Sequence, residues 1–153
     1  MLFVCTGNTC RSPLAEAMAR KLASERKLDV IVSSAGTSAV PGSPASDGSI
    51  LVGLERSLDL SAHRARTLTR ELVEEASLIL CMGAQHVTHA VALGGNGRTY
   101  LITDYAERTQ ANRPIHDPFG AALDSYRRMA DELDAVIPRI VDRIAGESSA
   151  GAP

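Results

Sequence analysis

Three cysteines, Cys5, Cys10 and Cys81, are all that this chain of 153 residues carries. An odd count without regular spacing is no disulfide framework of the secreted kind. Metal ligation is disfavoured too: Cys5 and Cys10 have no partner pair, and the four histidines do not gather beside them. Basic residues are not in excess. Sixteen Lys and Arg against 18 Asp and Glu leave a formal net charge of -2, so nothing is available to neutralise a nucleic-acid backbone. No apolar run approaches the ~20 residues of a membrane span. The chain opens directly on Leu2-Phe3-Val4, without a basic leader or cleavage site, so no signal peptide is expected. The pattern Gly-x4-Gly-Lys-Ser/Thr is missing, which disfavours a nucleotide triphosphatase. These absences leave a protein of the reducing cytoplasm, in which a thiol is free to react.

Composition is that of an ordinary globular domain, 44% hydrophobic and 22% charged, and the length suits one core. Apolar runs alternate with helical patterns. Strands are expected at Met1–Cys5, Val30–Ser34, Ser77–Met82 and Thr99–Ile102. Helices are expected at Ser12–Lys27, Gly48–Leu58, Leu68–Ala76, Gln85–Leu93 and Ala121–Ala145, with Pro138 kinking the last. Val40–Asp47 and Arg108–Gly120 read as loops. Strand–helix alternation implies a parallel sheet covered on both faces. The expectation is a single α/β domain of three layers, a four-stranded parallel sheet flanked by helices, over residues 1–146. A flexible tail is expected at 147–153. Ligands of such sheets bind at the carboxyl ends of strands, and Cys5 stands at the end of the first.

The loop that follows is Cys5-Thr6-Gly7-Asn8-Thr9-Cys10-Arg11-Ser12. It joins a strand to a helix N-terminus, where inward peptide N–H groups and the helix dipole make an anion site. Gly7 permits backbone geometry that other residues resist, and Asn8 tolerates positive φ. Arg11 offers a planar fork matched to two phosphate oxygens. A thiol at Cys5 feels the amides, the dipole and Arg11, each of which favours thiolate. Such a thiolate is equipped to attack phosphorus in line. The Ser12 hydroxyl can cap the helix and donate to the thiolate, and Pro13 takes an early helical position without loss. Residues 6–12 are therefore the candidate phosphate cradle.

The leaving group needs a general acid. Asp117, in His116-Asp117-Pro118-Phe119-Gly120, is the candidate, on a loop stiffened by Pro118. His116 is not read as catalytic. His63, in the polar connection Ser61–Arg66, either hydrogen-bonds the catalytic loop or lies on the surface. His86 and His89 read as surface, and Arg64, Arg66 and Arg70 as a solvated face.

Phe3-Val4-Cys5-Thr6-Gly7-Asn8-Thr9-Cys10-Arg11-Ser12-Pro13, with Ser33-Ser34-Ala35-Gly36 and Asp117-Pro118-Phe119-Gly120, resembles the low-molecular-weight protein tyrosine phosphatase family over roughly residues 1–145. The resemblance implies a mechanism without metal or cofactor, through a phosphocysteine intermediate. It implies Cys5 as nucleophile, Arg11 as phosphate clamp, Ser12 as thiolate stabiliser and Asp117 as general acid, then base. It also implies that Ser34 and His63 support a strained Asn8. Thr9 stands where tyrosine-specific members carry a bulky aliphatic residue. With Phe119-Gly120 in the acid loop, it resembles the bacterial protein arginine phosphatase branch. A phenol ring wants apolar walls, yet residues 37–47 hold no aromatic. Thr9 and Phe119 are thus the candidate specificity residues, for phosphoarginine over phosphotyrosine.

Thioredoxin-coupled arsenate reductases share such a fold and loop but relay oxidation through two further cysteines. Cys81 stands alone after Cys10, and it reads as core packing. A catalytically dead phosphopeptide-binding module is disfavoured by Cys5, Arg11 and Asp117 together. Cys10 is close enough through the loop's curvature to expect a reversible Cys5–Cys10 disulfide under oxidant, a redox control on the nucleophile. The expected partner is a phosphorylated protein or peptide, not a nucleic acid or a membrane, and the expected state is a monomer.

Overall fold

A computed structural model describes residues 1–150, with side-chain surroundings to 147. Its strands are β1 (Leu2–Cys5), β2 (Ser33–Gly36), β3 (Ile79–Cys81) and β4 (Thr99–Leu101). They pair in parallel in the order β2-β1-β3-β4. The helices are α1 (Arg11–Glu25), α2 (Asp47–Leu54), α3 (Arg70–Glu75), α4 (Ala84–Ala90), α5 (Ile102–Glu107) and α6 (Leu123–Ala150). A π-type turn, Val91–Gly95, prolongs α4.

Side chains alternate across a strand, and the central strand β1 shows what that does here. Phe3 and Cys5 point into one core with Leu14, Ala15 and Met18 of α1, Val52 of α2, Ile102 and Tyr105 of α5, and Met129, Leu133, Ile137 and Ile140 of α6. Leu2 and Val4 point into a second, smaller core with Val73 of α3 and Ala90 of α4. The sheet is therefore the middle of three layers. The chain leaves β1 for β2 on one side and returns to β3 on the other, so the order reverses at the carboxyl end of β1. That reversal opens the crevice in which open parallel sheets bind ligands.

Several boundaries differ from expectation. Strand β2 begins at Ser33, not Val30. Its ladder starts only where β1 offers a partner, Leu2 opposite Ser33; the preceding segment instead accepts the terminal ammonium of Met1 at the Ile31 carbonyl, and Ile31 is exposed. Helix α2 stops at Leu54 because the chain turns through Ser57 at φ 61 and closes with Leu58 N–H on the Gly53 carbonyl. Helix α3 starts at Arg70, capped by the Thr69 hydroxyl. Helix α5 was not expected: it follows β4 without a connecting residue and has only six residues, too few for a helical period to show. Helix α6 runs unbroken across Pro138 to Ala150. The first four residues of the expected tail, 147–150, are thus helical, and the rest lie outside the described residues. Among the described residues no helix is long and apolar enough to cross a membrane.

Candidate active site

The loop between β1 and α1 is drawn into a tight curve by backbone contacts on its outside. Thr37 N–H donates to the Cys5 carbonyl (3.0 Å) and Ser38 N–H to the Thr6 carbonyl (2.9 Å). Ser46 N–H donates to the Thr9 carbonyl (2.9 Å), and the Ser49 hydroxyl to the Cys10 carbonyl (3.0 Å). Carbonyls are thereby turned outward, which leaves the N–H groups for the concave side. Gly36 makes the curve possible: a Cβ there would lie 2.5 Å from the Thr6 carbonyl oxygen and 2.9 Å from Asn8 N. Gly7, by contrast, is not among the residues at positive φ. The conformational demand falls on Asn8, at φ 55.

Asn8 is fully buried, and its hydrogen bonds fix the direction of those around it. Arg66 N–H donates to its Oδ1 (3.0 Å), which settles the amide's orientation. Nδ2 then donates to Ser12 Oγ (2.8 Å) and Ser34 Oγ (2.9 Å). Its carbonyl can only accept, so His63 Nε2, at 2.7 Å, carries a proton. Ser12 Oγ accepts from Asn8 and lies 2.9 Å from Cys5 Sγ; its own hydrogen is therefore free to go to the sulfur. A chain of hydrogen bonds runs from Asn8 through Ser12 and ends on Cys5. The expected capping role of Ser12 is not found: α1 starts at Arg11, after Cys10, without a side-chain cap. Ser12 is inside the first turn, its hydroxyl engaged by the loop.

Arg11 is buried, with its guanidinium 3.4 Å from the Ile115 carbonyl and 3.4 Å from Asp117 Oδ2. Two of its five donors are so engaged, leaving capacity for a two-pronged grip on phosphate. The segment carrying Asp117 is tied to the sheet by Ile115 N–H donating to the Met82 carbonyl (3.0 Å). It is tied to α6 by a 2.6 Å contact between His116 Nε2 and Ser125 Oγ. Asp117 Oδ1 accepts from Phe119 N–H at 3.1 Å, closing a small turn. Cys5, Thr6, Gly7, Thr9, Cys10 and Arg11 share a cleft of ≈ 360 Å³ with Asp117 and Phe119; Ser38, Val40 and Ser43 complete the walls. Phe119 and Val40 are exposed at the rim.

Thus the candidate residues Cys5, Thr6, Gly7, Thr9, Cys10, Arg11, Asp117 and Phe119 meet at one cleft, with Asn8, Ser12, Ser34 and His63 behind it. His86 is a correction. It was expected on the surface, yet it is fully buried and its Nε2 lies 2.8 Å from Thr6 Oγ1. Burial first, then the charge of Arg11, push its ionisation down to about 4. Because β3 is the neighbour of β1, the helix leaving β3 starts beside the loop leaving β1; that adjacency was the signal, and sequence order conceals it. Arg66, read as a solvated face, also takes part through its backbone N–H and donates from Nε to the Ser34 carbonyl (2.9 Å). Cys81 is fully buried in the smaller core, and burial, with Cys5 nearby, pushes its thiol up to about 12. It packs the smaller core.

A wider hollow of ≈ 770 Å³ lies between α4, α5 and α6, lined by Tyr100, Tyr105 and Arg143. Arg143 stacks on Tyr105 at 4.0 Å, and the hollow holds no thiol.

The chain is similar to known proteins along most of its length. The family described as low molecular weight phosphotyrosine protein phosphatase matches residues 1–150. A protein-arginine-phosphatase of Bacillus subtilis is 35% identical over 144 residues, 94% of this chain and 95% of that protein. The structure of the YwlE arginine phosphatase from Geobacillus stearothermophilus superposes with a TM-score of 0.89 at 32% identity, covering 99% of this chain and 96% of that one. A YwlE arginine phosphatase mutant with a phosphorylated active-site serine superposes with a TM-score of 0.86 at 33% identity, covering 94% of each chain.

Proposed function

Because the chain belongs to the low molecular weight phosphotyrosine protein phosphatase family, we propose that it removes phosphate from protein side chains, phosphoarginine ahead of phosphotyrosine. Cys5 attacks phosphorus in line while Arg11 and the loop N–H groups hold the equatorial oxygens. Asp117 gives its proton to the leaving nitrogen or oxygen. The Ser12 hydroxyl stabilises the sulfur as thiolate before attack and as leaving group afterwards. Asp117, now a carboxylate, takes a proton from the water that attacks the phosphocysteine, and inorganic phosphate departs. The observation that carries this reading is the meeting of thiol, guanidinium and carboxyl at one cleft, with Ser12 Oγ 2.9 Å from Cys5 Sγ. The serine-phosphorylated arginine phosphatase supports the covalent step.

The choice of phosphoarginine rests on Thr9. Its side chain lines the cleft beside Cys5, where a hydroxyl is a poor wall for a phenol ring but a good neighbour for a guanidinium. Asp117 lies beside one guanidinium, that of Arg11, and, protonated for the first step, can hand that proton to the bridging nitrogen of a second in the substrate. The B. subtilis protein-arginine-phosphatase supports the same choice. A reducing cytoplasm fits a nucleophilic thiol, and the three cysteines are all free. The test is kcat/KM on phosphoarginine and phosphotyrosine peptides for wild type and Thr9→Ile. Wild type should favour phosphoarginine, and the variant should move toward phosphotyrosine. Preference of the wild type for phosphotyrosine would overturn the substrate assignment and leave the mechanism standing.

A further inference from the structure

His86 takes no part in the steps assigned to Cys5, Arg11, Ser12 and Asp117, yet it is fully buried against their loop. It lies on the first turn of α4, with its backbone N–H on the Gly83 carbonyl. Its Nε2 is 2.8 Å from Thr6 Oγ1, while its Nδ1 is buried and has no partner among the described residues. That asymmetry favours one tautomer, because an orphaned buried N–H is rarer than an orphaned acceptor. A proton on Nδ1 would be a buried donor with no acceptor, which folded proteins rarely tolerate. A proton on both nitrogens would add a positive charge in the field of Arg11; burial and that field keep the ring neutral down to about pH 4. The proton is therefore on Nε2, and His86 donates to Thr6 Oγ1. A hydroxyl that accepts from one side is free to aim its own hydrogen to another. Thr6 is exposed and lines the cleft together with Cys5, Arg11 and Asp117.

We propose that His86 is a positioning residue of the phosphatase reaction: its Nε2–H fixes the Thr6 hydroxyl so that the Thr6 O–H donates to an oxygen of the phosphoryl group held above Cys5. The cradle would then have a side-chain donor beside its peptide N–H groups and Arg11, set by a histidine that never touches substrate. The inference rests on phosphoryl chemistry at Cys5 and not on which side chain carries the phosphate. A small aryl phosphate therefore reads it, independently of the phosphoarginine assignment.

The experiment measures para-nitrophenyl phosphate hydrolysis, and competitive inhibition by inorganic phosphate, for wild type, Thr6→Val, His86→Phe, His86→Gln and the Thr6→Val/His86→Phe pair. Each of the Val and Phe variants should lose about tenfold in kcat/KM, the worth of one hydrogen bond to a charged group. Each should also weaken inhibition by phosphate. The pair should be no worse than either alone, because both changes remove the same donor. His86→Gln, which keeps an N–H, should recover part of the loss. Multiplying losses in the pair, or Thr6→Val at the wild-type rate, would overturn the proposal and leave His86 as packing. Thr6→Val replaces an exposed residue by its isostere, so it decides the matter even if His86→Phe fails to fold. Failure of wild type to turn over the aryl phosphate would overturn the phosphatase reading as well.

Discussion

Arg11 and Asp117 form an ion pair at 3.4 Å in which the arginine side chain is 5% exposed and the aspartate 52%. The cation is held by the loop and by the Ile115 carbonyl; the anion is on the solvent side. On the proposed mechanism, an incoming phosphate competes with Asp117 for the guanidinium, and the carboxyl released from Arg11 serves the leaving group. Acid catalysis then matters in proportion to how badly the leaving group needs a proton. Asp117→Asn should slow hydrolysis of phosphotyrosine peptides by ~10²–10⁴-fold and that of activated aryl phosphates much less. Cys5→Ser should show no turnover of either. A series of aryl phosphates of rising leaving-group acidity measures this. Equal losses across the series would remove Asp117 from the role of acid, and turnover by Cys5→Ser near wild type would remove the phosphocysteine.

Gly36 tests the curvature of the cradle without touching any reacting group. Gly36→Ala places a methyl 2.5 Å from the Thr6 carbonyl oxygen, which is backbone and cannot swing aside. The loop has to move outward, at a cost of roughly 1–3 kcal/mol. Urea unfolding should show that loss, and kcat on an aryl phosphate should fall with it as the N–H groups leave their positions. A variant as stable and as active as wild type would mean that the loop accommodates a wider curve.

Most of the site could be read from the sequence because its chemistry is concentrated in one stretch, Cys5–Ser12, at a strand–helix junction. The place of the Asp117 carboxyl at the cleft was legible from its position beside a stiffening proline. Less could be seen of what holds that stretch in place. The partners of Asn8 come from β2 (Ser34) and from the connection after α2 (His63 and Arg66). Those of Thr9 and Cys10 come from Ser46 and Ser49. Such contacts depend on strand order, and the order β2-β1-β3-β4 follows from packing that no local pattern records. His86 was misread for that reason: on α4 alone it has the spacing of a surface residue, and only the adjacency of β1 and β3 buries it. Helix α5 was missed for a different one, since six residues carry less than two turns.

The same histidine makes stability depend on pH. Its ordinary value of 6.5 is lowered to about 4 in the fold, by burial first and then by Arg11. Between those values the unfolded chain binds a proton that the folded chain refuses, so acidification favours unfolding. The effect is absent above pH 7, grows as pH falls from about 6.5 to about 4, and reaches roughly 3 kcal/mol at most. His86→Gln cannot take up that proton. Urea unfolding of both proteins at pH 7 and pH 4.5 should show wild type losing more stability than the variant on acidification. Parallel losses would mean that His86 titrates normally in the folded chain.

Cys10 is poised between two fates. Its Sγ lies 3.3 Å from Ser46 Oγ and 3.6 Å from Tyr126 Oη, and burial keeps the Tyr126 hydroxyl protonated beyond its usual range. These contacts hold the Cys10 thiol against α2 and α6, on the shoulder of the loop that carries Cys5. The disulfide expected from the sequence requires peroxide to oxidise Cys5 to a sulfenic acid, which the Cys10 sulfur would then attack, forming the disulfide and expelling water. Mild peroxide should therefore abolish activity in a form that dithiothreitol restores. The peptide Met1–Arg11, which ends at the first basic residue, should become lighter by two hydrogens. Cys10→Ser removes the resolving thiol, so Cys5 should proceed to the sulfinic acid and activity should not return. Tyr126→Phe frees Cys10 from one of its three hydroxyl contacts, those with Thr9, Ser46 and Tyr126, and should hasten the disulfide. If wild type and Cys10→Ser lose activity equally and irreversibly, Cys10 does not protect the nucleophile, and its contacts with Ser46 and Tyr126 serve only to close the cradle on α2 and α6.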